Sequence, residues 1–312
     1  METRRLGPTG PQISVVGFGS WEAGGSEWGP NDSDETVIEA MRAGFDAGMT
    51  WVDTAEVYGP HRSEDLVGRA VAGRPDIQVF TKVAPKDAGS GFRPEQVKEA
   101  IRGSLSRLGL DHVDLYQLHW PDETGVAMED TWGAMAEIQD EGLAHYIGVS
   151  NFHRARIERC LAIRQVDSVQ NEFSLLVQED RAELISWLAK RGITYFAYSP
   201  MGAGILTGAL AADHAFRDTD WRSGKLWEEE QNELFRPGAF QENLAKVERL
   251  RSIAERLGTT TAALALRWVV DASPTTVAIA GSRNPGHARS NAQAGELRLD
   301  AGTLAEIDAI FG

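Results

Sequence analysis

The sequence predicts an α/β fold: a (β/α)8 TIM barrel with an N-terminal hairpin cap and an extra C-terminal helix. Segments with strand character alternate with segments of helical periodicity about eight times along the 312 residues, an order typical of a parallel sheet. Most strand segments are nearly continuous apolar runs, as expected where both faces of a sheet are buried. No Pro- or Gly-rich linker divides the chain. We therefore expect one closed barrel domain over residues 1–312 rather than an open doubly wound sheet.

The first half of the chain contains the hairpin and four strand–helix units. The hairpin is expected over residues 3–14, with Gly10-Pro11 at its centre. The first helix is indicated by apolar residues that recur at helical spacing before Gly48, a natural C-terminal cap. Strands are predicted at residues 13–20, 50–54, 77–82 and 113–119, and helices at 33–48, 63–72, 94–108 and 129–141.

The second half continues the alternation with one interruption. Strands are predicted at residues 144–150, 168–172, 193–199 and 276–280, and helices at 153–163, 178–191, 243–257, 260–270, 285–294 and, as the extra helix, 304–310. Residues 200–242 break the rhythm, and they carry Trp221, Trp227, Phe235, Phe240 and the acidic run 228–230. A loop of this length in a compact domain is typically a lid or a binding loop. We expect it to cover the functional site.

Composition and charge exclude several classes of partner. Lys and Arg total 31 and Asp and Glu total 46, which gives a net charge of −15. Nucleic acids and anionic membranes are bound mainly through clustered basic residues, so neither is expected as a partner. The N-terminus lacks the apolar core of a signal peptide, and no apolar stretch is long enough to span a membrane, so a cytoplasmic location is predicted. The single cysteine, Cys160, is interpreted as a small buried residue.

Polar residues follow the predicted strands at the end where a barrel carries its chemistry. Asp53 ends the second strand and Tyr58 follows five residues later, while Lys82 ends the third strand and His119 the fourth. The later strands carry or end in Ser150-Asn151, Gln170, Tyr198-Ser199-Pro200 and Gly281-Ser282-Arg283. Each residue alone has an ordinary interpretation, such as a turn cap or a surface charge. Their convergence on one end of the barrel predicts a single polar pocket.

The residues from strands two to four suggest acid–base chemistry. A buried Lys82 is costly unless it pairs with Asp53. A cation beside the phenol of Tyr58 favours the phenolate, so we expect the pKa of Tyr58 to lie below its usual value near 10. A tyrosine tuned in this way can act as a general acid. His119 can hydrogen-bond a substrate oxygen and fix its orientation.

The sequence resembles the aldo-keto reductase family, in its NADP-dependent bacterial type, through motifs that occur in the family's order along nearly the whole chain. They are GFDAGMTWVDTAEVYG at 44–59, TK at 81–82, DLYQLHW at 114–120, GVSNF at 148–152, YSPM at 198–201 and IAGSR at 279–283. The resemblance implies an oxidoreductase of the CH–OH and carbonyl class whose catalytic set is Asp53, Tyr58, Lys82 and His119.

The resemblance also implies a site for NADP(H). The nicotinamide carboxamide would be held by Ser150, Asn151 and Gln170, and its ring would stack on Tyr198. The other residues placed around the cofactor are Gly19, Ser20, Trp21, Asp53, Ser199, Pro200, Met201, Gly204, Leu206, Gly281, Ser282, Arg283, His287 and Asn291. Physical reasoning supports the last group, because a glycine-bearing turn that opens a helix binds phosphate readily. No Gly-x-Gly-x-x-Gly motif follows a strand, so a Rossmann site is not expected, and no metal site is predicted.

The predicted reaction is the reduction of an aldehyde, ketone or sugar carbonyl with NADPH, with Tyr58 as the general acid. The substrate pocket would be walled by Trp21, Tyr58, His119 and Trp120. Glu22 lies near the expected mouth, where it would either disfavour anionic substrates or be a solvated loop residue. Three alternatives stay open: a redox-sensing subunit that binds NADP(H), an aldolase or lyase that forms a Schiff base on Lys82, and alcohol or sugar oxidation by the same residues. Monomer and homo-oligomer are both compatible with the sequence.

Overall fold

A closed barrel with a hairpin at one end forms the centre of the protein. The structure is a computed structural model that describes residues 1–25, 27–29, 32–85, 92–225 and 232–312. An antiparallel hairpin of β1 (Thr3–Arg5) and β2 (Gln12–Ser14) precedes the barrel. Within the described residues, eight parallel strands close the barrel, with β10 hydrogen-bonded to both β9 and β3. They are β3 (Val16–Gly19), β4 (Trp51–Asp53), β5 (Gln78–Val83), β6 (Val113–Leu118), β7 (Ala144–Ser150), β8 (Ser168–Glu172), β9 (Thr194–Tyr198) and β10 (Thr276–Gly281). The predicted fold class is confirmed.

Helices surround the barrel and connect its strands. They are α1 (Trp21–Gly24), α2 (Asp34–Asp46), α3 (Arg62–Val71), α4 (Pro94–Leu108), α5 (Met128–Asp140), α6 (Arg154–Leu161), α7 (Leu184–Ala189), α8 (Ala239–Arg256), α9 (Thr261–Val270), α10 (Pro285–Gln293) and α11 (Ala301–Phe311). Side-chain N-caps set where several helices begin. Ser33 accepts a hydrogen bond from the Thr36 amide at the start of α2, and Asp300 accepts one from the Thr303 amide at the start of α11. None of the described helices has the length and apolar character that a bilayer crossing requires.

The hairpin closes the N-terminal end of the barrel, as predicted. Its Leu6 and Ile13 belong to an apolar cluster inside the barrel, together with Trp51, Phe80, Leu115, Phe196, Val277 and Ile279. The Gly7 amide donates to Thr194 Oγ1 at 2.7 Å, which ties the hairpin to the first residue of β9. Because this end is filled with side chains, a pocket can open only at the opposite end.

Most predicted elements agree with the structure to within three residues at each end, and three differ more. The predicted strand at 13–20 is two strands, because Ser14 pairs with β1 whereas Val16 pairs with β10. The helix predicted at 178–191 is helical only over Leu184–Ala189. Its first residues form turns in which Asp180 accepts hydrogen bonds from Asn171 and Tyr195. The helix predicted at 243–257 begins earlier, at Ala239.

The loop predicted as a lid is only partly helical. Short 3-10 helices span Gly202–Thr207, Trp221–Ser223 and Glu233–Phe235, and Phe235 packs against Trp221 and Phe240 at ring-centroid distances of 6.0 and 5.9 Å. Trp227 and the acidic run 228–230 lie outside the described residues. Cys160 is fully buried, and burial raises the pKa of its thiol to about 12. It is a core residue, as predicted.

Candidate active site

Four ionisable side chains meet at the C-terminal end of the barrel. Asp53 is the last residue of β4, Lys82 lies in β5, and His119 directly follows β6. The Lys82 Nζ lies 2.5 Å from Asp53 Oδ1 and 3.2 Å from the Tyr58 hydroxyl, and it also donates to the Thr54 carbonyl at 2.9 Å. The Tyr58 hydroxyl lies 3.5 Å from His119 Nε2. The structure thus brings together the four residues predicted from the strand ends.

The pKa of Tyr58 is raised above 10, which corrects the expected lowering. Burial is the largest cause, because a phenolate in this pocket loses its hydration. Lys82 acts in the expected direction and lowers the pKa of Tyr58, but burial and the negative charge of Asp53 both raise it and together outweigh Lys82. Tyr58 therefore keeps its proton at neutral pH.

The two other titrating groups have opposite shifts. Burial favours a neutral Lys82, but Asp53 and Tyr58 outweigh it, so the pKa of Lys82 is raised and its side chain is an ammonium. Burial, assisted by the charge of Lys82, holds the pKa of His119 well below 6.5. The imidazole is therefore neutral and can donate from Nε2 or accept there, depending on its tautomer.

Gln117 connects the ion pair to the predicted carboxamide site, and the sequence analysis did not identify it. Its Nε2 donates to Asp53 Oδ2 at 3.3 Å, and Gln170 Nε2 donates to the same oxygen at 3.0 Å. Gln170 Nε2 also lies 3.4 Å from Gln117 Oε1. Gln117 is fully buried in β6. The available signal was a long polar side chain between Tyr116 and Leu118, in the apolar second half of the strand.

A cleft of about 810 Å³ opens above these residues, a size suited to a cofactor together with a small substrate. It is lined by nearly all of the residues predicted to bind cofactor: Gly19, Ser20, Trp21, Asp53, Ser150, Asn151, Gln170, Tyr198, Ser199, Pro200, Met201, Gly204, Gly281, Ser282, Arg283, His287 and Asn291. Tyr58, His119 and Trp120 also line it. Leu206 does not reach the cleft: it is fully buried in the core.

Backbone strain is concentrated at the cleft. Among the described non-glycine residues, positive φ angles occur at His61, Asn151, Ser199 and Ala203, and the last three line the cleft. Asn151 donates to the His119 carbonyl at 2.9 Å and accepts from the Tyr198 hydroxyl at 2.9 Å. Residues held in rare conformations persist where the surrounding structure demands them, often at functional sites. Asn151 is thereby held between His119 and the predicted stacking ring of Tyr198.

The chemistry of the cleft fits a dinucleotide with a carboxamide at one end and a phosphate at the other. The end of the cleft near Tyr198 contains the side-chain amides of Gln170 and Asn151, which can pair with a carboxamide. At the far end, the turn after β10 supplies Ser282 and Arg283, and guanidinium groups bind phosphate through two parallel hydrogen bonds.

A second arginine lies at the cleft that the sequence analysis did not predict. Arg222, from the loop after β9, lines the cleft and donates to the Ala203 carbonyl at 3.1 Å. Its guanidinium lies 4.8 Å from the ring centroid of Trp28. Sequence spacing carries no signal for this residue, because it reaches the cleft only through long-range contacts of its loop.

An aromatic wall borders the substrate side of the cleft. Trp21 stacks on Trp221 at 5.6 Å and packs edge-on against Trp28 at 5.0 Å. The Trp21 indole donates to Glu27 Oε2 at 2.5 Å, and the Trp221 amide donates to the Glu27 carbonyl at 3.0 Å. The loop after β9 is therefore bonded to the loop after β3, and the two close one side of the cleft.

Comparison with known proteins agrees with this geometry. The model of the aldo/keto reductase family matches residues 15–311. The aldo-keto reductase YhdN of Bacillus subtilis (strain 168) is 31% identical over 319 aligned positions, which cover 100% of this chain and 94% of that protein.

Solved structures give the same result. A glycerol dehydrogenase from Gluconobacter oxydans superposes with a TM-score of 0.87 at 27% identity, covering 99% of this chain and 94% of that one. An aldo-keto reductase from Klebsiella pneumoniae, solved in complex with NADPH, superposes with a TM-score of 0.77 at 26% identity, covering 99% and 95%. The match of the family model to nearly the whole chain, on a closed barrel with these four side chains at its open end, shows that this protein belongs to the aldo/keto reductase family.

Proposed function

We propose that this protein is an NADPH-dependent reductase that converts an aldehyde or ketone to an alcohol. The single observation that carries the proposal is the position of the Tyr58 hydroxyl, 3.2 Å from Lys82 Nζ and 3.5 Å from His119 Nε2 at the open end of the barrel. A general acid must hold its proton when the reaction starts and lose it readily as charge develops. Burial supplies the first property and Lys82 the second.

When bound, NADPH would supply the hydride that the carbonyl carbon accepts. Tyr58 donates its proton to the carbonyl oxygen, so that the C=O bond becomes CH–OH. The Lys82 ammonium, held by Asp53, stabilises the phenolate that remains until solvent returns a proton. Neutral His119 donates a hydrogen bond to the carbonyl oxygen and orients it beside Tyr58.

The cofactor residues follow from the same cleft. Ser150, Asn151 and Gln170 would hold the carboxamide, Tyr198 would support the ring, and Ser282 and Arg283 would bind phosphate. Trp21, Trp120 and Glu27 border the space left for substrate. A small neutral carbonyl compound, including a sugar, suits a pocket with aromatic walls and a carboxyl group.

The raised pKa of Lys82 separates this proposal from one alternative. A Schiff-base lysine needs a depressed pKa, whereas the pKa of Lys82 is raised. Alcohol oxidation is the reverse of the proposed reaction and would use the same residues, with Tyr58 accepting the proton. A purely cofactor-sensing subunit would have no use for a protonated Tyr58 facing the substrate side.

The test combines a substrate panel with one substitution. NADPH and NADH are each offered with aldehydes, ketones and sugars, and oxidation of the cofactor is followed by absorbance. We expect turnover with NADPH, and we expect Tyr58→Phe to lower kcat by about 10²–10⁴-fold, the usual contribution of a general acid, while NADPH affinity stays within about twofold.

Two results would contradict the proposal. Unchanged turnover in Tyr58→Phe would remove Tyr58 from the mechanism. Tight NADPH binding without turnover on any member of the panel would favour the cofactor-sensing alternative.

A further inference from the structure

Glu22 lies in the cleft at the place where a phosphate is expected. It is the second residue of α1, directly after β3, and its side chain is mostly buried. Its Oε1 lies 3.1 Å from the position that a Cβ on Gly281 would occupy, so the carboxyl group packs against the turn after β10. The interpretation of Glu22 as a solvated loop residue is therefore wrong.

The positive charges around Glu22 are already shared among acidic groups. Arg283 and Arg222 both act on Glu22 electrostatically. Arg283 Nε also lies 3.2 Å from Asp32 Oδ2, and Arg222 Nη2 lies 2.6 Å from Asp220 Oδ2. A phosphate entering this part of the cleft would meet guanidinium groups whose charge is partly compensated, and an acidic side chain against the same turn.

We propose that Glu22 determines cofactor affinity: when ionised, it competes with the cofactor phosphates for Arg283 and Arg222, and so keeps NADP(H) binding weak. The inference rests on the proposed function only in taking NADP(H) as the ligand. Like charges held close together in a poorly hydrated pocket repel strongly. Burial raises the pKa of Glu22 above its usual range, and the two arginines oppose this rise.

The test is equilibrium binding without substrate, followed by quenching of tryptophan fluorescence. In Glu22→Gln the side chain keeps its shape and loses its charge. We expect the Kd for NADPH to fall by about tenfold, the factor that corresponds to one pK unit of charge interaction. If NADH also binds more tightly, the effect of Glu22 is on the pyrophosphate. If only NADPH binds more tightly, the effect is on the 2′-phosphate. Either result supports the proposal.

Glu39→Gln is the control for the loss of one negative charge. Glu39 is exposed on α2 and does not line the cleft. We expect its Kd for NADPH to stay within about twofold of wild type, since solvent and salt screen an exposed charge outside the cleft. Glu22→Ala provides a second neutral variant in case Glu22→Gln folds poorly, and it should also bind more tightly.

The pH dependence distinguishes charge from packing. The charged groups that act on Glu22 are Arg283 and Arg222, whose acidic partners are Asp32 and Asp220. The other titratable groups that line this cleft with Glu22 are Asp53, Glu27, Tyr58, His119, Tyr198 and His287. The probe is NADH if both cofactors bind more tightly to Glu22→Gln, because NADH carries no 2′-phosphate that titrates in this range. It is NADPH if only NADPH does, since wild type and variant then bind the same 2′-phosphate and its own titration cancels in the ratio. The ratio of wild-type to Glu22→Gln Kd should approach one as the pH is lowered towards the range in which Glu22 takes up a proton.

Unchanged binding in both neutral variants would overturn the proposal, because it would mean that the charge of Glu22 does not act on the cofactor phosphates. Weaker binding would overturn it too, because it would mean that Glu22 accepts hydrogen bonds from the cofactor. A Kd ratio that does not vary with pH would overturn it as well. These failures are separable from a failure of the proposed function, since binding is measured without a carbonyl substrate. If the enzyme reduces a carbonyl substrate but Glu22→Gln binds NADPH no more tightly than wild type, only the proposed role of Glu22 is refuted.

Discussion

The Lys82 side chain is fully buried, and three oxygen atoms hold its ammonium group. A buried cation is tolerated only when oxygen atoms surround it in this way. One of the three oxygen atoms here is the hydroxyl of Tyr58, the proposed general acid. Burial disfavours the charged form of Lys82. The same burial keeps Tyr58 protonated and His119 neutral. At the scale of the residue, dehydration sets the resting protonation states, and Lys82 sets how easily Tyr58 gives up its proton.

A flat pH profile follows for the chemical step. The pKa of Tyr58 lies above 10 and that of His119 well below 6.5, so neither group should change protonation between about pH 6.5 and pH 9.5. We expect kcat for carbonyl reduction, measured at saturating NADPH with a deuterium isotope effect to identify hydride transfer, to be constant over this range. A break near pH 6.5 would show that His119 titrates and that its imidazole is not neutral at rest.

At the scale of the element, the hairpin and the barrel interior make one end of the molecule a packed wall. Trp51 stacks on Phe80 at 5.2 Å and meets Phe196 edge-on at 5.1 Å. Gly17 in β3 leaves the space for this ring, because a Cβ there would lie 2.1 Å from Trp51 Cε2. The glycine is therefore needed for close approach, and the filled interior leaves only the C-terminal strand ends for chemistry.

Gly17→Ala should consequently destabilise the protein. The added methyl group would force the Trp51 stack to move, and overpacking of this kind usually costs about 1–3 kcal/mol. Urea unfolding followed by circular dichroism would measure the loss. Gly133→Ala is the control: Gly133 lies within α5 and no described atom falls within 4 Å of its Cβ position. That variant should be neutral or stabilised by up to about 1 kcal/mol, and an equal effect of both changes would contradict the steric argument.

At the scale of the whole molecule, the net charge of −15 opposes the approach of an anionic cofactor. Long-range repulsion slows encounter and is screened by salt, whereas contacts at Arg283 are local and less screened. Affinity for NADP(H) is therefore expected to come from a few residues inside the cleft, and this is why we propose a large effect for one acidic group there, Glu22.

The association rate should reveal this repulsion. Between roughly 10 and 100 mM salt the Debye length falls from about 30 Å to about 10 Å. We expect the rate constant for NADPH association, measured by stopped-flow tryptophan fluorescence, to rise over this range. An association rate that falls with salt would indicate that a local positive field around Arg283 and Arg222 steers the cofactor instead.

Much of this molecule follows from local patterns in the sequence. Alternating apolar runs and helical periodicity predicted the eight units and the hairpin, because burial imposes these periods on any such chain. The polar residues at strand ends identified Asp53, Tyr58, Lys82 and His119, since parallel strands of a barrel all end on the same face.

Only the tertiary structure decided how these groups behave. The direction of the Tyr58 pKa shift depends on dehydration, which is a property of the closed pocket and not of neighbours in sequence. Arg222 contacts Trp28, and Gln117 contacts Asp53 and Gln170. These residues are far apart in the sequence, so helical or strand periodicity does not predict their contacts. The position of Glu22 against Gly281 joins the first barrel strand to the last. Such contacts arise when the barrel closes, so the protonation of the acid and the charge around the phosphate site are decided by packing over long range.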